Sequence, residues 1–225
     1  MPTIQEDFDR IALVSTDGAT HNDHYHNFLL RQLPAHCDNS LDIGCGTGSF
    51  SRRLAERSQH VLAIDLSPEM IRIARERSAK FSNIDFQVAD VLNLPFDIES
   101  FDCIATIATL HHLPLAEMLF KLKTALKPGG VLLILDLFEP EGATDAVLNL
   151  LALPVSVGLR LIHQGRFLPQ RAERAAWNAH ESHDLYPTMG EVHAHCDRII
   201  PGAKIRKHFL WRYSIVWEKK NDREN

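Results

Sequence analysis

Apolar residues in this chain fall into short, nearly unbroken runs, separated by stretches of helical spacing. Leu41-Asp42-Ile43, Val61-Leu62-Ala63-Ile64 and Val131-Leu132-Leu133-Ile134-Leu135 are such runs. Strands of a parallel sheet read this way, because both of their faces are covered. The pattern predicts strands ending at Ile43 and spanning 60–65, 84–89, 101–107 and 131–138. Helices are predicted over 49–57, from Pro68 onward and over 115–126. Ser67 before Pro68 is a capping residue followed by the imino acid favoured at the first helical position. Lys127-Pro128-Gly129-Gly130 is expected to stop the helix before the fifth strand. Repeated strand–helix units imply a parallel sheet with right-handed crossovers.

The ends of the chain read differently. Residues 1–39 form a lead-in with one short helix over 27–33, stopped at Pro34. Residues 139–202 leave the alternation: 143–161 is apolar and helix-like, interrupted by Pro154, and 170–183 is a polar helix carrying Trp177. From 205 to 217 the chain turns β-branched and aromatic, which predicts strand. The whole is read as one α/β domain: lead-in 1–39, core 40–138, a helical substrate-cap insertion 139–202 whose apolar helix could equally pack on the sheet, and closing strands 203–219.

Between the first strand and its helix lies Asp42-Ile43-Gly44-Cys45-Gly46-Thr47-Gly48-Ser49. Alternating glycines let the backbone come close to a ligand, and the helix start offers free N–H donors. A nucleotide-sized ligand is implied. The dinucleotide fingerprint G-x-G-x-x-G wants glycine where Ser49 stands, and no Gly-Lys-Ser/Thr follows to make a phosphate loop. Two further strands end in carboxylates, Asp65 and Asp90. An acid closing the second strand can accept both ribose hydroxyls. Alone, Asp65 would suit a nicotinamide cofactor equally well.

Asp42-x-Gly44-x-Gly46-x-Gly48 with Asp65 and Asp90 resembles the class I S-adenosylmethionine-dependent methyltransferases. The resemblance implies a Rossmann-like fold with a mostly parallel seven-stranded sheet and an antiparallel last strand. It implies S-adenosyl-L-methionine as cofactor. Asp42 would then lie near its amino acid part, and Gly44, Cys45, Gly46 and Gly48 would bind the cofactor. Asp65 would take the ribose, and Leu66 and Met70 would also contact the cofactor. Asp90 and Val91 would meet the adenine, and Ile107 would line the cofactor. A carboxylate at the mouth of the loop suits a sulfonium and an ammonium, and would repel a pyrophosphate.

Composition narrows the partners. The 225 residues carry a formal net charge of −5, with no basic stripe for nucleic acid. No apolar run is long enough to span a membrane, and the first residues lack the pattern of an export signal. Cys37, Cys45, Cys103 and Cys196 are scattered, which reads as reduced thiols in a cytoplasmic protein. His21, His24 and His26, and His193, His195 and Cys196, lack metal-site spacing, so no metal is expected.

Methyl transfer needs alignment, exclusion of water and, for a hydroxyl, amine or carbon acid, a base. The segment Thr106-Ile107-Ala108-Thr109-Leu110-His111-His112 leaves the fourth strand where the acceptor would lie. His111 is the first candidate base. Leu110-His111 resembles the small-molecule methyltransferases acting on phosphoethanolamine, where the matching histidine pairs with a tyrosine of the lead-in; Tyr25 is the candidate here. The other account of His111 and His112 is that they cap the helix after Pro114. No Asn/Asp-Pro-Pro-aromatic motif follows the fourth strand, which argues against a nucleobase or glutamine acceptor. A small-molecule acceptor is the expectation, with a core similar to quinone and biotin-precursor methyltransferases. The alternatives are a non-catalytic cofactor-binding regulatory or scaffolding subunit and a nicotinamide oxidoreductase.

Overall fold

The computed structural model describes residues 3–14, 22–142, 158, 171–181 and 184–221. One sheet contains β1 (Cys37–Ile43), β2 (Ser58–Asp65), β3 (Ile84–Val88), β4 (Phe101–Ile107), β5 (Leu126–Leu137), β6 (Lys204–His208) and β7 (Arg212–Glu218). The helices among the described residues are α1 (Ile4–Val14), α2 (His26–Leu30), α3 (Ser49–Ala55), α4 (Pro68–Arg77), α5 (Leu115–Ala125), α6 (Arg171–Glu181) and α7 (Met189–Ile199). Strand order is β3-β2-β1-β4-β5-β7-β6. Strands β1 to β5 pair in parallel, and β7 lies antiparallel between β5 and β6. The chain builds outward from β1 to β3 and then returns to place β4 on the other side of β1. At that reversal a crevice opens beyond the carboxyl ends of the strands.

The apolar runs are covered on both faces, as their composition predicts. Leu132 and Ile134 of β5 join Leu41, Ile43 and Ile104 over α5 and α7. Leu133 and Leu135 point the other way and join Leu29, Leu54 and Val61 under α2, α3 and α4. Each such fully buried side chain contributes about 1.5–3 kcal/mol.

Three local features depart from the pattern. Strand β5 begins at Leu126, which pairs with Phe101 before a register shift toward Cys103. The Lys-Pro-Gly-Gly stretch is therefore an irregular strand start; Gly129, at φ 77°, donates its N–H to Lys219 O at 2.6 Å. The turn Phe209-Leu210-Trp211 divides the last two strands, with Leu210 and Trp211 at φ 61° and 62°. Trp211 is thus a turn residue rather than a mid-strand one.

The third departure is α1, an amphipathic helix inside the lead-in. Its residues Ile11 and Ala12 are buried against Met70 of α4 and Ala176 of α6, with Phe8 packed alongside. Asp9 ties it to the start of α4 by accepting the Ser67 hydroxyl. Ser67 in turn accepts Met70 N–H at 3.1 Å, so the predicted cap is formed. Helix α6 falls inside the predicted polar helix, while the apolar stretch around Pro154, apart from residue 158, lies outside the described residues, as do His21 and His183. Helix α7 opens with a capping box between Thr188 and Glu191 and buries Val192 and Cys196 against the α5 side of the sheet.

Candidate active site

A cavity of about 990 Å³ occupies the crevice. Its floor is the glycine turn. Gly44 and Cys45 donate their N–H groups to Ile64 O at 2.9 and 3.0 Å, which fastens the turn across to β2. Gly44, Gly46 and Gly48 have φ of 66°, 52° and 76°, a region L side chains avoid. A Cβ on Gly44 would stand 2.0 Å from Thr109 Oγ1, so close approach adds to the backbone requirement. Gly48 is the N-cap of α3, and its missing Cβ leaves room for the Phe86 ring.

Three strand-end acids meet this floor in different environments. Asp42 is 1% exposed and accepts the Ser51 hydroxyl at 2.6 Å. Burial raises its pKa to about 7, the Ser51 bond opposes the rise, and Asp65 adds to it. Asp65 accepts Gly46 N–H at 2.8 Å through Oδ2 and Ser67 N–H at 2.9 Å through Oδ1. Burial pushes its carboxyl upward as well, while those two N–H groups resist the rise. Asp90 accepts Leu92 N–H at 2.9 Å and the Asn93 amide at 2.7 Å, and buried Val91 follows it. Each carboxylate keeps acceptor lone pairs beyond these bonds.

Asp42, Gly44, Cys45, Gly46, Asp65, Leu66, Met70, Asp90, Val91 and Ile107 all line the cavity. Gly48, Tyr25 and His111 are not among its lining residues. Tyr25 is buried, and its hydroxyl donates to Phe209 O at 2.5 Å. The tyrosine ring beside His111 belongs to Tyr186, with centroids 5.1 Å apart. Ala108, which follows Ile107, holds φ 50° as the chain leaves β4.

Beyond Ala108 the 3-10 turn Leu110–His112 carries two imidazoles whose side chains are 4% and 8% exposed. Asp136, fully buried at the end of β5, accepts His111 N–H at 2.8 Å. Its other oxygen lies 2.6 Å from His111 Nδ1. That pairing puts the proton on Nδ1 and leaves Nε2 as the open lone pair. His112 lines the cavity. Burial, His111 and His180 push its pKa down to about 4 against the pull of Asp184, so it is a neutral imidazole at neutral pH. The apolar wall comes from Ile4, Phe8 and Ile11 of α1, Leu113 and Trp177 of α6.

Sequence reasoning did not foresee α1, Asp136, His180, Asp184 or Tyr186 at this end. The helical stripe Ile4, Phe8 and Ile11 was a usable signal. The others come from separate elements and left no local one.

The methyltransferase domain family model matches residues 41–130, the segment that builds the cradle. A ubiquinone biosynthesis O-methyltransferase of Xylella fastidiosa is 30% identical over 171 residues, covering 73% of this chain and 68% of that one. The chain belongs to the class I S-adenosylmethionine-dependent methyltransferases. An uncharacterized methyltransferase of Mycobacterium bovis is 27% identical over 87% of this methyltransferase and 94% of its own length. The N-methyltransferase NodS of Bradyrhizobium japonicum, solved with S-adenosylhomocysteine, shares the fold at TM-score 0.65 and 17% identity, over 96% of this chain and 98% of its own. A phosphoethanolamine N-methyltransferase of Haemonchus contortus matches at TM-score 0.70 and 14% identity, over 98% of this chain and 61% of its own. No helix among the described residues is long and apolar enough to cross a membrane.

Proposed function

We propose that this methyltransferase transfers the methyl group to a small molecule held between the glycine turn and the His111–His112 turn. The observation that carries the reading is the continuity of the cavity. One space joins Gly44, Gly46 and Asp65 to the apolar wall of Phe8 and Trp177 and to His112. Such a space suits an enclosed nucleoside and a compact, partly apolar acceptor. The similarity to a ubiquinone biosynthesis O-methyltransferase favours a phenolic or related ring oxygen as nucleophile.

In this assignment Asp42 and the Gly44–Gly48 turn take the amino acid end of the cofactor. Asp65, Leu66 and Met70 take the ribose, Asp90 and Val91 the adenine, and Ile107 lies along the cofactor. The sulfonium already activates the methyl, so the protein's share is alignment and removal of water. His112 faces the acceptor from the cavity wall, and His111, held by Asp136, stands directly behind it with ring centroids 3.8 Å apart, with Tyr186 rather than Tyr25 as the neighbouring phenol. Incubating the purified protein with methyl-labelled cofactor and a panel of catechols, phenols and small amines tests this. Label in an extractable product is the expected result. Label confined to protein or nucleic acid in a cell extract would overturn it.

A further inference from the structure

A buried group lies beside the acceptor end of the cavity that the cofactor cradle does not use. One ligand atom each from His111, His112 and Asp184 lies within 4.8 Å of the others. The three side chains are 4%, 8% and 7% exposed. His112 Nδ1 stands 3.5 Å from Asp184 Oδ1, and His111 Nε2 stands 3.9 Å from Asp184 Oδ2. These gaps are too wide for hydrogen bonds, whose N–O distances run at about 2.7–3.2 Å. They are close to the spacing of donors around one ion: bonds of about 2.0–2.1 Å at tetrahedral angles put donor atoms roughly 3.4 Å apart.

The surroundings have the form of a metal site's outer layer. Asp136 fixes the His111 ring by pairing with Nδ1, which aims Nε2 at the gap. Tyr186 donates to Asp184 Oδ2 at 3.1 Å, and His180 Nε2 approaches the same oxygen at 3.6 Å.

We infer that His111, His112 and Asp184 form a binding site for one divalent transition ion of the zinc class, with Asp136 and Tyr186 orienting the ligands. Two imidazoles and a carboxylate leave a coordination position open, the arrangement of catalytic rather than structural zinc. His112 places that position next to the cavity. The histidines expected to be unfit for metal, His24 and His26 or His193 and His195, are not part of this group. The site stands on side-chain geometry alone. Only its use, polarising an acceptor oxygen in place of a base at His111, rests on the proposed small-molecule reaction.

The test uses the full chain, stripped with a chelator and titrated with Zn²⁺ by calorimetry and with Co²⁺ by visible absorption. The expected result is saturation at one equivalent, with the intense Co²⁺ bands of low coordination. Asp184→Ala and His112→Ala should weaken binding at least a hundredfold, and Asp136→Asn by about 10–100-fold. S-adenosylhomocysteine binding, measured on the same samples, confirms that each variant is folded. It also separates the two ideas, since the cradle can be occupied with or without the ion. Absence of saturable binding to the wild-type chain would overturn the site. So would wild-type affinity in folded Asp184→Ala.

Discussion

Asp65 joins the end of β2 to the glycine turn by accepting Gly46 N–H at 2.8 Å. The same carboxylate holds Ser67 N–H, the residue that caps α4. One side chain thus sets the positions of two of the surfaces lining the cavity. Asp65→Ala should weaken S-adenosylhomocysteine binding by more than tenfold, because a charged hydrogen bond contributes about 1.5–3 kcal/mol. Calorimetry checks this, and unchanged affinity would remove Asp65 from the cofactor site.

Gly44 and Gly46 separate two demands placed on the turn. Both have positive φ, so an alanine at either costs about 1–2 kcal/mol of backbone strain. At Gly44 the new Cβ also collides with Thr109, whereas at Gly46 it meets nothing within 4 Å. Gly44→Ala is expected to lower the melting temperature clearly more than Gly46→Ala. Gly46→Ala, at a residue lining the cavity proposed to hold the cofactor, is expected to lose binding while remaining folded. Equal melting temperatures would show that the Thr109 contact relaxes freely.

The sequence made the core legible because its signals are local. Strands buried on both faces appear as apolar runs, and Gly44-Cys45-Gly46 following the strand-end acid Asp42 needs no tertiary context. The acceptor end was legible only in part. His111 was found because it follows β4 directly, but its partner Asp136 sits at the end of the neighbouring strand. Asp184 and His180 arrive from a region of weak pattern. Tyr25, chosen from its place in the lead-in, donates to Phe209 O instead, and Tyr186 stands by His111. Side chains gathered from separate elements carry no periodic trace.

Asp42 gives the cofactor step a pH dependence of definite sign. Its carboxyl, faced by Ser51 and Asp65, has a folded-state pKa raised from 3.8 to about 7. Between those values the folded empty protein binds the extra proton, so stability falls as pH rises from about 4 to about 7. In the proposed assignment Asp42 meets the cofactor ammonium as a carboxylate, so affinity should rise as pH climbs through 6 to 8 and then level. Asp42→Asn should flatten that rise, weaken binding and raise the melting temperature at pH 8. Calorimetry and thermal melts across pH test it; a variant that keeps the wild-type slope would assign the proton to another group.

Trp177 on α6 reports on the acceptor end of the cavity. It lines that wall with Phe8 and remains 38% exposed, its ring 6.0 Å from His180. Burying an acceptor against it would remove apolar surface from water without touching the cradle around Asp65. Trp177→Ala should therefore raise the acceptor KM about tenfold or more, at about 25 cal/mol per Å² of lost contact, and change S-adenosylhomocysteine affinity less than threefold. A rise in KM with kcat preserved marks binding shared by ground and transition states. The opposite split, with cofactor affinity lost and acceptor KM unchanged, would place Trp177 over the nucleoside and move the acceptor to the other side of the His111–His112 turn.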